Sequence, residues 1–334
     1  MTDETPRPPR RKRYSGKNPR RFEEKYKEHD RHAETLAKVI ASGKTPAGSH
    51  VPIMVNECLE ALAMEPGMTG VDCTLGYGGH ALRILERITP GGKLIGLDQD
   101  PLELPKTEQR LRLAGFGDDC FQAVRSNYAG IAKVLDGTKV DFIFADLGCS
   151  SMQFDDPARG FSFKHAGPLD MRMNPSRGVS ASEWLARVTP EKLALALHQN
   201  ADEPQAETLA AALAGQSFQT TLDLTEAVRN ADRSSDVELT IRRVFQAIRI
   251  AVNEEFVALD AFLRVLPHCM KPGGRVAILT FHSGEDRRVK KAFQAGLRDG
   301  LFCETSDGVI TASSDERRIN PRSAPAKLRW AIKG

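Results

Sequence analysis

The first residues of the chain that could do chemistry lie in a glycine-rich turn. In the segment from Val71 to His80 (VDCTLGYGGH), an apolar strand pattern precedes the glycines and a helical pattern follows them. A glycine has no Cβ, so the backbone of such a turn can approach a ligand closely. Asp98 comes 22 residues after Gly76, at the end of the next predicted strand. A carboxylate there can accept hydrogen bonds from both ribose hydroxyls of an adenosine, so the pattern predicts an adenosine-containing cofactor.

Two such cofactors fit the turn. Gly76, Gly78 and Ala81 satisfy the loose dinucleotide fingerprint, with Asp98 as the acid that binds the ribose of NAD. S-adenosylmethionine enzymes use a related turn with an acidic residue in the preceding strand, and Asp72 supplies that residue. The ammonium, carboxylate and sulfonium of this cofactor suit a turn that offers both a carboxylate and bare amides, whereas a pyrophosphate is disfavoured beside a carboxylate. The turn favours a methyltransferase and leaves open an NAD-dependent oxidoreductase or a purely structural glycine turn.

A second polar segment, Asp146–Gln153 (DLGCSSMQ), follows the apolar run Lys139–Leu147, which has the character of a buried parallel strand. In a doubly wound sheet, ligands bind outside the carboxyl ends of the strands. We therefore expect residues 72–80, 98–100 and 146–153 to meet at one edge of the sheet.

The order of apolar patterns predicts an α/β protein with an inserted helical domain. Residues 46–151 and 245–334 are predicted to form the sheet, and the methyltransferase interpretation of the glycine turn makes it a Rossmann-like sheet of the class I S-adenosylmethionine-dependent type. Residues 152–244 contain no convincing strand pattern but carry helix-start signals, a capping box at Ser180–Glu183 and Thr189 followed by Pro190. Other predicted elements are helices over 52–64, 79–88, 254–270 and 285–297, strands over 70–74, 93–97 and 275–281, a turn over 271–274, and a closing hairpin from 301–312 and 326–333.

Composition excludes several classes of protein. The chain has 334 residues, of which 40% are hydrophobic and 27% charged, so it can form a packed core. No apolar run reaches the roughly 18 residues that a membrane helix needs, and the N-terminus lacks the apolar region of a secretory signal. None of the six cysteines forms a Cys-x-x-Cys pair, which disfavours a zinc site or a disulfide framework. We expect a cytoplasmic protein with reduced thiols, and nothing in the sequence fixes an oligomeric state.

Charge is distributed unevenly along the chain. Residues 1–21 carry eight basic and two acidic side chains, a net charge of +6, whereas the remainder carries 39 basic and 42 acidic side chains, a net charge of −3. Residues 1–45 are predicted to be a basic, largely disordered extension. It is either an arm that contacts nucleic-acid phosphates or a solvated tail.

Eight motifs in order across about 270 residues resemble the ribosomal RNA small subunit methyltransferase H family. They are His50–His80, Asp98–Pro101, Asp146–Ser151, Arg159–Phe163, Gly167–Met173, Phe245–Ile250, Phe281–Asp286 and Asn320–Ser323. The resemblance implies transfer of a methyl group from S-adenosyl-L-methionine to N4 of a cytidine in the decoding centre of 16S rRNA. It also implies 16S rRNA in the small ribosomal subunit as the partner, with no metal and no membrane involved.

The resemblance further implies roles for individual residues. The inserted domain helps form the cleft for RNA. Candidates for catalysis are Asp146, Ser150 and His282. Residues that bind the cofactor are Gly78, Gly79 and His80 at the turn, Asp98 at the ribose, Tyr128 beside the adenine, Asp146 and Gln153.

Several positions depart from the family pattern, and they lie on the substrate side. These are residues 198–204, residues 238–243 and Gly284, and they leave a different rRNA cytidine as an alternative target. A non-catalytic RNA-binding protein is a further alternative, which the intact glycine turn, Asp98 and Asp146 argue against. Cys149 stands where the family has a small aliphatic residue, and we predict a packing role for it, with Asp146 raising the pKa of its thiol.

Overall fold

The centre of the sheet is the strand β4, Val140–Asp146, whose apolar residues are buried on both faces. Successive side chains of a strand point to opposite faces. Phe142 and Phe144 therefore enter one hydrophobic cluster, and Ile143 and Ala145 enter another. The run of apolar residues that predicted a buried parallel strand is explained by this two-sided burial.

The computed structural model describes residues 52–334, so the predicted basic extension over 1–45 lies outside the described residues. Eight strands form one sheet in the order β3-β2-β1-β4-β5-β8-β6, with β7 paired to β8. The first five are parallel, and β8 is antiparallel to β5, β6 and β7. The remaining strands are β1 Thr69–Asp72, β2 Lys93–Asp98, β3 Phe121–Arg125, β5 Met270–Thr280, β6 Phe302–Thr305, β7 Ile310–Thr311 and β8 Lys327–Lys333.

This order creates a switch point between β1 and β4. The chain builds outward from β1 through β2 to β3, then returns to place β4 on the other side of β1. The connections that leave β1 and β4 at their carboxyl ends go in opposite directions, which opens a crevice there.

Helices cover both faces of the sheet. On the face of Phe142 lie α1 Val55–Leu62, α2 Gly79–Ile88 and α3 Leu104–Leu113. On the opposite face lie α4 Ile131–Leu135, α11 Glu255–Val265 and α12 Ser283–Arg298. Two short helices complete the sheet region, α5 Ser151–Asp155 after β4 and α13 Ser314–Ile319 before β8.

Between α5 and α11 the chain forms a lobe of five helices with a hydrophobic cluster of its own. They are α6 Ala181–Arg187, α7 Pro190–Ala201, α8 Ala206–Leu213, α9 Thr221–Ala231 and α10 Val237–Asn253. The predicted starts of two of them are confirmed. Ser180 and Glu183 form the capping box of α6, and the Thr189 side chain accepts a hydrogen bond from the Lys192 N–H at the start of α7.

The predicted turn over 271–274 is wrong, because these residues belong to β5. Val140 pairs with Met270 and Phe142 pairs with Arg275, so the Lys-Pro-Gly-Gly sequence bulges out of the strand instead of ending it.

Helix α3 and strand β3 are absent from the predicted elements. In α3 only Leu104, Thr107 and Leu111 are buried, and in β3 only Phe121 is, so neither carries a strong apolar pattern.

All six cysteines lie within residues 52–334, and none of them is bridged to another. In residues 52–334 no helix combines the length and the apolar character needed to cross a membrane.

Candidate active site

Three carboxyl groups mark the carboxyl edge of the sheet, because Asp72, Asp98 and Asp146 are the last residues of β1, β2 and β4. Backbone amides hold them in place. Asp98 accepts hydrogen bonds from the N–H groups of Gly76 and Asp100, each at 2.8 Å, and Asp72 accepts one from Thr74 at 3.0 Å. The structure thus brings together the three strand ends that the sequence predicted to meet.

Burial sets the electrostatics of this edge. Loss of solvation raises the pKa of Asp98 to about 6, of Asp72 to about 7 and of Asp146 to about 8. Mutual repulsion adds to the effect, because Asp98 raises the pKa of Asp72 and Asp72 raises that of Asp146. A positively charged group placed among these carboxyls would favour their ionised forms.

Asp146 has an unused acceptor. Its Oδ1 atom is buried and has no hydrogen-bond partner among residues 52–334. Its Oδ2 atom lies 3.6 Å from Nδ1 of His80, which is longer than a hydrogen bond. Buried polar atoms are seldom left unpaired, so this oxygen indicates a position for a ligand.

The glycine turn lies against this edge. Gly78, in the left-handed conformation with φ 84°, caps α2, and a Cβ there would meet the Thr107 side chain at 2.8 Å. The first amides of α2, at Gly79 and His80, have no partner within the helix and suit a carboxylate. A Cβ added to Gly76 would lie 4.0 Å from the Cβ of Ser150, so the turn and the start of α5 are neighbours.

His80 is held as a neutral side chain. Its Nε2 atom lies 2.9 Å from the carbonyl oxygen of Ile53, and its ring packs on Phe144. Burial lowers the pKa of His80 to about 4. His80 therefore contributes no positive charge at neutral pH to the edge formed by Asp72, Asp98 and Asp146, here called the acidic edge.

Ser150 and Gln153 form the capping box of α5. The Ser150 hydroxyl accepts from the Gln153 N–H at 3.3 Å, and the Gln153 side-chain oxygen accepts from the Ser150 N–H at 3.0 Å. The Gln153 amide nitrogen donates to Asp100 at 2.9 Å. Gln153 thus fixes the loop that carries Ser150, and its direct contact with a cofactor stays a prediction.

Tyr128 follows β3 at the same edge. Its ring packs edge-on against Phe262 of α11, and its hydroxyl donates to the carbonyl oxygen of Glu255 at 3.3 Å. Its neighbour Asn127 donates to the Gln99 side chain at 3.0 Å. The placement of Tyr128 beside an adenine stays a prediction.

His282 caps helix α12. Its Nδ1 atom accepts from the Glu285 N–H at 3.4 Å, and its Nε2 atom lies 3.2 Å from Glu285 Oε1. The Glu285 carboxylate also accepts from the Phe281 N–H at 2.8 Å. His282 Nε2 is nevertheless buried without a hydrogen-bond partner among residues 52–334, and the catalytic role of His282 stays a prediction.

Two arginines complete the surroundings of the site, Arg159, which is buried, and Arg249, which is largely buried, and neither is assigned a role from the sequence. Arg159 donates to Asp100 at 2.8 Å, and Arg249 donates to both oxygens of Glu255 at 2.8 and 2.9 Å. Both lie in motifs that carried the family resemblance, Arg159–Phe163 and Phe245–Ile250. A single arginine in an apolar motif was the signal that could have identified them, because arginine is seldom buried unless it is paired.

Cys149 contacts one of these arginines, with its Sγ 3.2 Å from Nη1 of Arg249. Burial nevertheless raises the pKa of Cys149 to about 11, and Glu255 and Glu285 add to the rise against the opposing charge of Arg249. The predicted direction of the shift is confirmed. The predicted cause is corrected, since burial dominates and the contributing acids are Glu255 and Glu285 instead of Asp146.

The strand order, the crevice at β1 and β4 and the acidic edge define a class I methyltransferase. Residues 47–334 match the MraW methylase family, and the chain belongs to that family. A protein of Agathobacter rectalis called ribosomal RNA small subunit methyltransferase H 1 is 46% identical, with 97% of each chain covered. The protein of that name in Lachnoclostridium phytofermentans is 45% identical, with 97% of this chain and 93% of the relative covered.

Membership of this family confirms the predicted S-adenosyl-L-methionine cofactor and sets aside the NAD-dependent oxidoreductase that the turn left open. The residues at the edge fit this cofactor. Asp72 and Asp146 offer negative charge for its cationic groups, Asp98 offers acceptors for its ribose hydroxyls, and the amides that begin α2 offer donors for its carboxylate. When bound, the cofactor supplies an electrophilic methyl group on a sulfonium.

Replacing Asp98 by Ala should weaken binding of S-adenosyl-L-methionine by about 1.5–3 kcal/mol, the range for hydrogen bonds to a charged group. Isothermal titration calorimetry measures this change. The matched control is Asp118→Ala, because the Asp118 side chain is 86% exposed and lies outside the site. Equal affinities of wild type and Asp98→Ala would remove Asp98 from the cofactor site.

The raised pKa values predict a pH dependence. These carboxyls bind protons more tightly in the folded chain than in the unfolded one, so the free energy of unfolding of the cofactor-free protein falls as pH rises from about 4 to about 8. A bound cation favours the ionised carboxyls. The rise in Tm caused by the cofactor should therefore grow between about pH 6 and pH 8.

Thermal melts with and without S-adenosyl-L-methionine across this range measure the effect. Asp146→Asn removes the group with the highest of these pKa values and should flatten the dependence at its upper end. A cofactor-induced shift in Tm that is the same at both ends of the range contradicts the electrostatic role of the acidic edge.

Proposed function

We propose that this protein transfers the methyl group of S-adenosyl-L-methionine to N4 of a cytidine in the 16S rRNA of the small ribosomal subunit. The observation that carries the proposal is the unpartnered Oδ1 of Asp146 at the acidic edge, beside the glycine turn. The names of relatives that are about 45% identical over 97% of the chain supply the substrate class, the RNA of the small subunit. The decoding centre as the location of the target is part of the proposal.

The chemistry requires an acceptor for an amine proton. The exocyclic amine of cytosine is a poor nucleophile, because its lone pair is delocalised into the ring. Asp146 Oδ1 is the proposed acceptor of a hydrogen bond from this amine as the lone pair localises. The Ser150 hydroxyl, fixed at the start of α5, is proposed to orient the base. Positioning of this kind lowers the barrier by several kcal/mol without any metal.

The helical lobe is proposed to form the RNA cleft. We assign residues 152–244 to an inserted domain for substrate recognition and residues 46–151 and 245–334 to the methyltransferase domain. The target base must leave its stack to reach the edge of the sheet, as in other enzymes that act on bases. A cytoplasmic location, where ribosomal subunits are found in bacteria, belongs to the same proposal.

Mass spectrometry of nucleosides tests the proposed function. Small-subunit rRNA from cells that lack the gene should lose N4-methylcytidine at one position, and the purified enzyme with S-adenosyl-L-methionine should restore it on small subunits from those cells. The Asp146→Asn variant is the control for adventitious methylation. An unchanged nucleoside profile would refute the proposal.

Cys149 allows a second test, because methylation at carbon 5 of cytosine requires a cysteine thiolate that attacks carbon 6, whereas methylation of N4 does not. The raised pKa of Cys149 keeps it a thiol at neutral pH. Cys149→Val should therefore retain most of the activity. The product should be N4-methylcytidine, with no covalent adduct between protein and RNA.

A folded Cys149→Val variant that binds cofactor but is inactive, together with a 5-methylcytidine product, would overturn this mechanism. Cys303→Val is the matched control, since Cys303 is exposed and distant in sequence from the polar segment after β4.

A further inference from the structure

Residues 157–178, here called the strap, connect α5 to the helical lobe. The strap is tied to the carboxyl edge of the sheet by Arg159, whose side chain is 8% exposed. Arg159 Nη1 donates to Asp100 Oδ2 at 2.8 Å, and Asp100 is 1% exposed. Two buried charges in contact form a pair whose loss on one side leaves the other unpaired.

Asp100 connects Arg159 to two residues that are predicted to bind the cofactor, Asp98 and Gln153. Its backbone N–H donates to Asp98 Oδ1 at 2.8 Å, and its Oδ2 also accepts from the side chain of Gln153 at 2.9 Å. Gln153 in turn fixes the N–H of Ser150. Asp100 therefore contacts Asp98 at the end of β2 through its backbone N–H and the loop that follows β4 through its carboxylate.

The second terminal nitrogen of Arg159, Nη2, donates hydrogen bonds within the strap. Arg159 Nη2 donates to the carbonyl oxygens of Arg172 at 3.1 Å and Met173 at 2.9 Å, and the Arg159 carbonyl accepts from the Met171 N–H at 3.0 Å. Met171 has φ 61°, a conformation that costs free energy for a residue with a side chain and persists only where neighbours hold it. Arg159 is one of these neighbours, and Asn253 of the lobe is another.

The strap returns to the end of β2 at Met173. Its sulfur lies 3.1 Å from Nε2 of Gln99, the residue between Asp98 and Asp100. The N–H of Met173 donates to Asn253 at the end of α10. The strap therefore touches the cofactor edge and the lobe at the same residue.

We propose that Arg159 is a positioning residue that performs two separable tasks in methyl transfer. Its contact with Asp100 holds Asp98 and the Ser150 loop for the cofactor, and its contacts with the carbonyls of Arg172 and Met173 hold the strap for the RNA substrate. This inference rests on the proposed function for the second task only. A guanidinium can serve both sides at once because its nitrogens form a rigid fork, which an ammonium group lacks.

Two substitutions separate the tasks. Arg159→Met leaves Asp100 without its cation and should weaken binding of S-adenosyl-L-methionine by about tenfold or more, the size of effect expected when a residue that orients a ligand-binding group is lost. Arg159→Lys keeps a charge for Asp100 but cannot also span the two carbonyls. It should keep cofactor affinity within about threefold, accelerate amide exchange in residues 171–178 and lower kcat on small subunits by about tenfold.

Arg172→Met is the matched control for cofactor affinity, because Arg172 forms a two-point pair with Asp170 inside the strap but does not touch Asp100. Its cofactor affinity should stay within about twofold of wild type. If Arg159→Met does not fold, Asp100→Asn/Arg159→Met replaces it, since the double variant leaves no unpaired buried charge, and the same loss is expected.

Calorimetry, amide exchange and steady-state methylation kinetics are measured beside Tm for every variant. The proposal is overturned if Arg159→Met binds cofactor like wild type, or if Arg159→Lys loses cofactor affinity and kcat in equal proportion. Wild-type protein that fails to methylate small subunits would refute the proposed function, while cofactor affinity and amide exchange would still test the role of Arg159.

Discussion

Three carboxyl groups gathered at one edge of a parallel sheet, each with a raised pKa, are the constraint on which the rest of this structure depends. The register pairs Asp72 with Gly96 and with Phe144, so the last residues of β1, β2 and β4 end close together. Within residues 52–334 none of the three carboxyls, at Asp72, Asp98 and Asp146, forms an ion pair with lysine or arginine. The fold thus holds three carboxyls in a poorly solvated place without a protein cation to balance them. A cationic ligand is the natural complement to such a site, and the backbone amides that fix Asp72 and Asp98 keep the edge in shape in its absence.

Two arginines lie near this edge, but each is paired with a carboxylate other than Asp72, Asp98 and Asp146. Arg159 is paired with Asp100 and Arg249 with Glu255, at distances of 2.8 Å. Arg159 therefore attaches the strap to the residue that follows Gln99 after β2, and Arg249 joins the end of α10 to the start of α11, and neither neutralises the carboxyls at the strand ends. The ion pairs of Arg159 and Arg249 therefore stabilise the fold, while the carboxyls of Asp72, Asp98 and Asp146 stay available for a ligand.

The sequence predicted the parts of this design that depend on local patterns. Helix α2 was predicted over its observed range, because its apolar residues recur at helical spacing after the glycine turn. The central strand β4 was predicted because burial on both faces requires a continuous apolar run. Strand β3 carries no pattern that predicts it, because only Phe121 of it is buried. The Lys-Pro-Gly-Gly sequence predicts a turn because these residues favour turns, although in the structure they form the bulge in β5. Polar networks such as Asp100–Arg159 join residues 59 positions apart, and a single sequence gives no sign of which partner a buried arginine has.

The place of the insertion explains how a helical lobe can serve this site without disturbing the sheet. The chain leaves β4 at Asp146, forms α5 and the lobe, and only then enters α11, the helix that leads into β5. An insertion at this point leaves the strand pairings of β4 unchanged and must begin at the carboxyl edge. Its far end returns to the same place, since Arg249 near the end of α10 contacts Cys149 just after β4. A lobe whose two ends are both fixed at this edge is held next to the acidic site by its connections alone, which supports the proposal that it contacts the RNA substrate.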